Sequence, residues 1–414
     1  MRDLDGWLTY ITQQHWQTID MGLQRMQQMV ERLNLQQPAP RVITVAGTNG
    51  KGSTCYAAEA MLMQAGITVG ATFSPHVSRF NERIRINGTE AQDGLLCAAF
   101  TVIEAQRGEL PLTYFEFSAL AALWCFKQAA VDVCILEIGL GGRLDAFNAI
   151  DADVAVITSI GLDHQQFLGD TREAIGAEKA GILREGQHVV FGPDMPDSVL
   201  QIAQQLSLQP EQLERSWQIR GDVSTTTWRL YEHEHCVLDA QPYRQCAPQN
   251  LIIAYLATRR LTQLPVGVIE KINANLQMPG RMQQLHYDKR LVLLDVAHNP
   301  AAAAFLAREM QQRNCQPALI ICGMLKDKDH AAVYRAITAS TTAPWLLLST
   351  SGERGMPAAD LRRNLPQHAD AEPVEWENLM TELSSATQSG DVILAFGSFD
   401  LVGRVSELLN TNIA

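Results

Sequence analysis

The sequence predicts an α/β protein of two domains, each built on a mostly parallel sheet. Three observations carry this. Apolar, β-branched runs recur at 42–46, 69–73, 131–138, 154–157 and 189–191, and each stops at a polar or glycine-rich turn. Helix-period segments lie between several of them, as at 54–64 and 115–128. Strand and helix alternating in this way, with strands apolar almost throughout, mark a parallel sheet covered on both faces. The alternation then starts afresh after Met278 to Gln283, where Pro279 and Gly280 interrupt a helical stretch. A boundary placed there gives domains of 1–278 and 279–414.

The elements follow in order. The first run, VITVA, leads into the glycine-rich GTNGKGST and then a helix. The next three end in Ser74-Pro75-His76, in Glu137-Ile138-Gly139 and in Ser159-Ile160-Gly161-Leu162-Asp163-His164. From about 198 to 247 Gln, Glu and Thr dominate, and the alternation at 225–231 predicts a small antiparallel appendage. A helical stretch resumes at Asn250. Beyond the boundary the apolar runs are 291–295, 318–322, 345–349 and 392–396.

A chain of 414 residues exceeds one ordinary core, in keeping with more than one domain. A net charge of -12 without any Lys/Arg cluster argues against nucleic acid as a partner. The 8 cysteines are scattered, mostly in apolar segments and without a Cys-x-x-Cys pair. They read as reduced core residues of a cytoplasmic protein, not as a zinc site or disulfide framework. No run of ~20 apolar residues predicts a membrane span.

In open parallel sheets, ligands bind beyond the carboxyl ends of the strands, so the residues there decide the chemistry. VAGTNGKGST (Val45 to Thr54) resembles a phosphate-binding loop but departs from the common template: Val45 replaces its first glycine, and Gly52 separates Lys51 from Ser53. Its glycines still free N–H groups for phosphate, Lys51 adds a mobile positive charge, and Ser53 or Thr54 offers Mg2+ a hydroxyl. The plainer alternative is a glycine-rich turn without a ligand. Glu137, at the tip of an apolar run, would be costly to bury unpaired, which makes a neighbouring cation attractive. His164 either binds metal or caps a helix, and Ser-Pro-His also suits a turn.

Residues 170–183 read as a helix opened by Asp170 and Glu173 at capping-box spacing, with Ile175 and Ile182 bracketing Lys179. The lysine therefore lies on the face a helix normally buries. Snorkelling is its ordinary escape. Carbamylation would instead turn it into an anionic metal ligand.

Taken together and in this order, GTNGKGS, SPH, LEIGLGGRLDAFN, TSIGLDH, EKAGI, PGR, DVAHNP and GSFDLV resemble the folylpolyglutamate synthase/dihydrofolate synthase branch of the Mur ligase superfamily. The resemblance runs from Thr18 to Val402. It implies a P-loop, parallel-sheet ATPase domain followed by a smaller Rossmann-like α/β domain, and an ATP-dependent amide ligase. The γ-phosphate would pass to a carboxylate of dihydropteroate or of the glutamyl tail of a reduced folate. The amine of L-glutamate would then displace phosphate from the acyl phosphate.

Residue by residue, the resemblance implies that Gly47, Thr48, Asn49, Gly50, Lys51, Gly52 and Ser53 hold ATP. Asn250, Arg281 and Asp295 would add nucleotide contacts across the domain junction. Two Mg2+ sites would draw on Ser53, Ser74, Glu137, His164 and carbamylated Lys179. Lys51, Lys179 and His164 would be catalytic, with His298 facing the incoming amino acid. The pterin would meet Asp20, Met21, Gly22, Thr113, Tyr114, Phe115, Glu116, Leu144 and Asp145. A pterin's flat π-face and N–H edge suit Phe115 and Asp145, although Phe115 also suits plain core beside Tyr114, Phe117 and Leu120. Phe147 departs from the small hydroxyl residue that the family often carries there.

The partners expected are small molecules only, for a monomer in the cytoplasm. Rival readings are a folylpolyglutamate synthase alone, another Mur-type ligase, or a nucleotide-sensing P-loop protein that binds a partner. The last has no need of Glu137, His164 and Lys179.

Overall fold

Near-continuous apolar strands are stable only when both faces of their sheet are covered, and the chain builds two such sheets. A computed structural model describes residues 2–14, 20–222 and 226–411. Thr18 and Ile19 of the first matching stretch, and Thr225 of the alternating one, lie outside the described residues. The chain divides into two units, one of residues 1–219, 230–238 and 248–276 and the other of 220–229, 239–247 and 277–414.

The first unit holds an eight-stranded sheet of β1 (Arg41–Ala46), β2 (Val69–Thr72), β3 (Ile84–Ile86), β4 (Thr89–Glu90), β5 (Val133–Glu137), β6 (Val154–Ile157), β7 (His188–Phe191) and β8 (Glu211–Gln212). Their order is β4-β3-β2-β5-β1-β6-β7-β8. β2, β5, β1, β6, β7 and β8 run parallel, and β3 and β4 add antiparallel strands at one edge. Every residue of β2, β5 and β6 is buried, as parallel strands between two helical layers must be. The helices Lys51–Gln64, Tyr114–Gln128 and Pro248–Thr258 belong to this unit, and each buries most of its length. Phe100, Phe117, Phe126 and Phe191 are among the largest fully buried side chains.

The strand order has one consequence for function. β2, β5, β1 and β6 are consecutive neighbours, so the loops after Thr72, Glu137, Ala46 and Ile157 emerge side by side at one edge.

Two local details differ from the sequence reading. Polar composition hid the helix Asp197–Gln205, whose narrow buried stripe consists of Val199 and Ala203. The helix carrying Lys179 spans Arg172–Ala180, and its cap is Thr171, whose hydroxyl accepts from the Ala174 N–H at 3.1 Å. Asp170 is thus not the cap. Glu173 turns outward instead and accepts from the Ser198 N–H at 2.8 Å, tying the two helices together.

The strands Trp217–Asp222, Thr227–Glu232 and His235–Pro242 form a separate three-stranded sheet. The second unit has a six-stranded sheet in the order Gln283–Tyr287, Arg290–Asp295, Val392–Phe396, Leu319–Cys322, Trp345–Leu347, Ala371–Pro373. Its first pair is antiparallel and the rest are parallel. Trp345 and Phe396 meet edge to face in its core, 5.5 Å between ring centroids. All eight cysteines are free thiols. Among the described residues no helix is long and apolar enough to cross a membrane.

Candidate active site

The loop after β1 is shaped by its neighbours. Thr48 exchanges bonds with the loop after β6: its N–H donates to Ser159 O at 2.8 Å, and its hydroxyl accepts from the Gly161 N–H at 2.9 Å. The Thr158 and Ser159 hydroxyls donate to Asn49 O at 2.7 and 3.0 Å. Gly47 has φ 147°, and a Cβ there would stand 1.9 Å from Thr158 Oγ1, so no other residue fits. Gly50, at φ 85°, is the left-handed cap from which the helix Lys51–Gln64 starts. The Asn250 side chain packs directly on Gly50, and its Oδ1 is buried without a hydrogen-bond partner among the described residues. Gly52 and Ser53 lie buried in the first turn of that helix. The first N–H groups of a helix have no partner within it, so this N-terminus is a ready anion site.

Two lysines converge on this loop. Lys51 Nζ donates to Gly47 O at 3.0 Å and to Thr48 O at 3.3 Å. Lys179 Nζ reaches the same Gly47 O from the far helix, at 2.9 Å. Lys179 is buried at 5% exposure, so it does not snorkel. Burial and the nearby Lys51 ammonium push its pKa down to about 7, against the opposing pull of Asp163 and Asp145. A substantial share of this amine is therefore neutral and nucleophilic near neutral pH.

Beside the phosphate loop, Glu137 ends β5 at 2% exposure and accepts from the Ser74 N–H at 2.8 Å. Ser74 Oγ is buried and has no hydrogen-bond partner among the described residues. A buried carboxylate next to an orphaned hydroxyl is an arrangement that a cation would complete. Among the described residues no three His, Cys, Asp or Glu side chains gather into a metal cage. Any ion here must draw on hydroxyl, phosphate or carbamate oxygens as well. His164 has left-handed backbone, φ 51°, at the head of the short helix Gln165–Leu168, where its N–H bonds Asp163 Oδ1 at 2.9 Å.

The residues matched to the pterin gather around the loop after β5. The Phe115 ring lies against Gly139, and the Met21 methyl reaches Gly141. Phe115 meets Phe147 edge to face at 5.8 Å, so Phe147 acts as a wall for that ring. Asp145 is spent on the loop itself: Oδ2 accepts from the Gly139 and Leu140 N–H groups at 2.9 and 3.0 Å, and Oδ1 from Phe147 at 3.0 Å. Burial nevertheless raises its pKa to about 6, with those three N–H groups pulling the other way. Thr113 and Glu116 form a capping box at the head of the helix Tyr114–Gln128. Leu144 is half-buried beside Asp145.

Sequence reasoning missed the residues that hold these pieces together. Arg25 binds both Glu116 oxygens through Nε, at 3.0 and 3.2 Å, and clasps Asp20 through Nη1 to Oδ2 and Nη2 to the backbone carbonyl, at 2.8 and 2.9 Å. It thereby ties the Asp20-Met21-Gly22 segment to the helix that carries Phe115. Its only sequence signal was a basic residue on an otherwise polar helix, which says nothing about partners. Arg143 salt-bridges Glu178 at 2.7 Å, docking the glycine-rich loop beside Lys179.

In the second unit, Asp295 ends its strand and accepts from the Met282 and Ala297 N–H groups, both at 2.9 Å. Burial raises its pKa. Arg281 Nη1 donates to Pro279 O at 3.1 Å, and His298 Nδ1 lies 2.8 Å from Val296 O.

A parallel sheet, a phosphate-type loop and a buried lysine at its mouth are the features of one class of enzymes. Residues 45–208 match the Mur ligase middle domain, and 280–399 match the Mur ligase glutamate ligase domain, so the class is that of ATP-dependent Mur-type ligases. A protein of Escherichia coli (strain K12), dihydrofolate synthase/folylpolyglutamate synthase, is 40% identical over 98% of this chain and 96% of its own. The E. coli FolC structure in complex with DHPP and ADP superposes with a TM-score of 0.92 at 37% identity, covering 100% of this chain and 99% of that one. The Yersinia pestis bifunctional folylpolyglutamate synthase/dihydrofolate synthase, complexed with AMPPNP and Mn ion, gives 0.89 at 39% identity over 99% and 98%. The chain belongs to the dihydrofolate synthase/folylpolyglutamate synthase family.

Proposed function

We propose that this chain joins L-glutamate to dihydropteroate, forming dihydrofolate, and extends the glutamyl tail of reduced folates, each time through an acyl phosphate made from ATP. The observation that carries the reading is the meeting of Lys51 and Lys179 on Gly47, beside the Glu137–Ser74 pair. A nucleotide sensor needs the first lysine only.

In this reading Gly47 to Ser53 wrap the triphosphate, and Lys51 exchanges its loop carbonyls for phosphate oxygens, placing positive charge where the phosphoryl group transfers. Carbamylation of Lys179 requires its neutral amine to attack CO2 with loss of a proton, and the depressed pKa favours that form. Ser53, Ser74, Glu137, His164 and the carbamate would hold divalent cations, in two sites. When bound, Mg2+ neutralises phosphate charge. Phe115 and Met21 pack the pterin body, Asp145 holds the loop that receives it, and Asp20, Gly22, Thr113, Tyr114, Glu116 and Leu144 complete the wall. Asn250 offers its orphaned carbonyl to the nucleotide. In the second unit Arg281 and Asp295 would bind the nucleotide and His298 would face the amino acid, with 1–278 as the ATP-binding domain and 279–414 as the ligase domain. The protein would act as a monomer in the cytoplasm.

The test is phosphate release by purified protein with ATP, Mg2+ and glutamate, run against dihydropteroate and tetrahydrofolate in parallel. Release that needs glutamate with either acceptor is expected. Turnover indifferent to both acceptors would sink the ligase reading, and activity on tetrahydrofolate alone would reduce it to folylpolyglutamate synthesis.

A further inference from the structure

Arg83 closes the short 3-10 helix Phe80–Arg83 that leads into β3. Its carbonyl accepts from the Phe73 N–H at 3.0 Å, which pins it to the residue before Ser74. Its Nε donates to His76 Nδ1 at 2.8 Å, so that ring nitrogen serves as the acceptor. The guanidinium carbon lies 5.5 Å from the Tyr114 ring centroid and 5.9 Å from that of Phe80. Glu137 and Glu82 are the carboxylates whose charges reach it.

Neither carboxylate pairs with it. Glu82 is used by the N–H groups of Val77, Ser78 and Arg79, at 2.7 to 2.8 Å. Glu137 takes the Ser74 N–H. An arginine carries five N–H donors, yet among the described residues only Nε of Arg83 has a hydrogen-bond partner, and no ion pair is formed. The Nη1/Nη2 fork is left over on a half-buried, immobilised cation. Such a fork matches the two oxygens of a carboxylate or of a phosphate. Structural arginines in this protein behave otherwise: Arg25 and Arg85, held in comparable positions, both grip a buried glutamate.

We propose that Arg83 is a catalytic residue whose Nη fork holds the reacting carboxylate of the substrate and then the acyl phosphate made from it. This rests on the proposed function. There, the reacting carboxylate must lie between the pterin end of the site, marked by Tyr114 and Phe115, and the phosphate end, marked by Ser74 and Glu137. Arg83 touches the first region through Tyr114 and senses the second through Glu137. A carboxylate oxygen forms a bond to the γ-phosphorus while the bridging P–O bond breaks and ADP leaves with its electron pair. The glutamate nitrogen then bonds to the acyl carbon and gives up a proton, and phosphate leaves with the C–O electrons. Arg83 stays protonated throughout and stabilises negative charge on the oxygens in transit.

The test compares Arg83→Ala, Arg83→Lys and His76→Ala in the full chain, with Lys51→Ala and Phe115→Ala alongside. Arg83→Ala is expected to lower kcat/KM for dihydropteroate by about 10²- to 10³-fold, with KM for ATP nearly unchanged. Added guanidinium ion should restore part of that loss, and Arg83→Lys should fall between. His76→Ala should cost far less, since it only loosens the guanidinium. A loss in His76→Ala equal to that in Arg83→Ala would overturn the proposal and make Arg83 a prop for the histidine. So would full activity in Arg83→Ala or in Arg83→Lys. If Lys51→Ala and Phe115→Ala lose activity while Arg83→Ala does not, this inference alone falls. If Lys51→Ala also keeps full activity, the reading of the whole site falls.

Discussion

Lys51 and Lys179 donate to one and the same carbonyl oxygen, that of Gly47, at 3.0 and 2.9 Å. Two ammonium groups sharing an acceptor repel each other, and the buried one responds by losing its proton more readily. Burial first, and the neighbouring Lys51 second, thus make Lys179 reactive before any ligand arrives.

Replacing Lys179 by Ala should lower turnover by on the order of 100-fold, as loss of a metal-orienting group does. Short carboxylates such as acetate, standing in for the carbamate, should restore part of it. Steady-state rates with and without added acetate check this. Full activity in the variant without rescue would remove the carbamate from the site.

The pH dependence of carbamylation follows from the sign of the shift. Because burial and Lys51 lower the Lys179 pKa to about 7, the neutral amine is scarce below that value and predominates above it. In unmodified protein given 13C-bicarbonate, the initial rate of carbamate labelling at fixed CO2 should rise about tenfold from pH 6 to 8 and then level off. A rate still climbing steeply between pH 9 and 10 would indicate an ordinary lysine.

Gly47→Ala places a methyl group against Thr158 Oγ1 at a backbone angle reserved for glycine. The expected cost is about 2 to 4 kcal/mol of stability, from overpacking and backbone strain together. Urea denaturation of the variant would show it as a lower midpoint, and nucleotide binding should be lost with it. A midpoint unchanged from that of the parent protein would show that the loop relaxes freely.

Arg25→Ala should separate the two halves of the pterin wall. KM for dihydropteroate is expected to rise by about tenfold, as a 1 to 2 kcal/mol loss of positioning implies, while KM for ATP stays put. Arg25→Lys, which can still reach one carboxylate, should recover part of the difference. Equal increases in both KM values would instead mean general loosening of the unit.

Asp145→Asn exchanges an acceptor for a donor among three backbone N–H groups. At least one of them loses its partner, at a cost of about 1 to 3 kcal/mol. The carboxylate pKa of about 6 sets the window: below it the parent protein begins to lose the same acceptor, so the two proteins should converge in pterin affinity as pH falls through 6. Titrating dihydropteroate binding from pH 7.5 to 5 tests this, and a constant gap between them would place the titrating group elsewhere.

The sequence by itself determined the local elements and the chemistry of single loops. Apolar period and glycine placement are read within a few residues, so β1, β5 and β6, the phosphate loop and the burial of Lys179 between Ile175 and Ile182 were all legible. The ordered motifs also placed the chain in its family. Only the tertiary structure decided which strand ends are neighbours. The order β2-β5-β1-β6 is fixed by crossover connections between distant segments, and it brings Ser74 against Glu137 and Lys179 against Gly47. It also decided the partners of charged side chains. Arg25 and Arg83 look alike in the sequence, but among the described residues the first spends its donors on Asp20 and Glu116 while the second bonds through Nε alone, because hydrogen bonding depends on distances that the linear order does not encode.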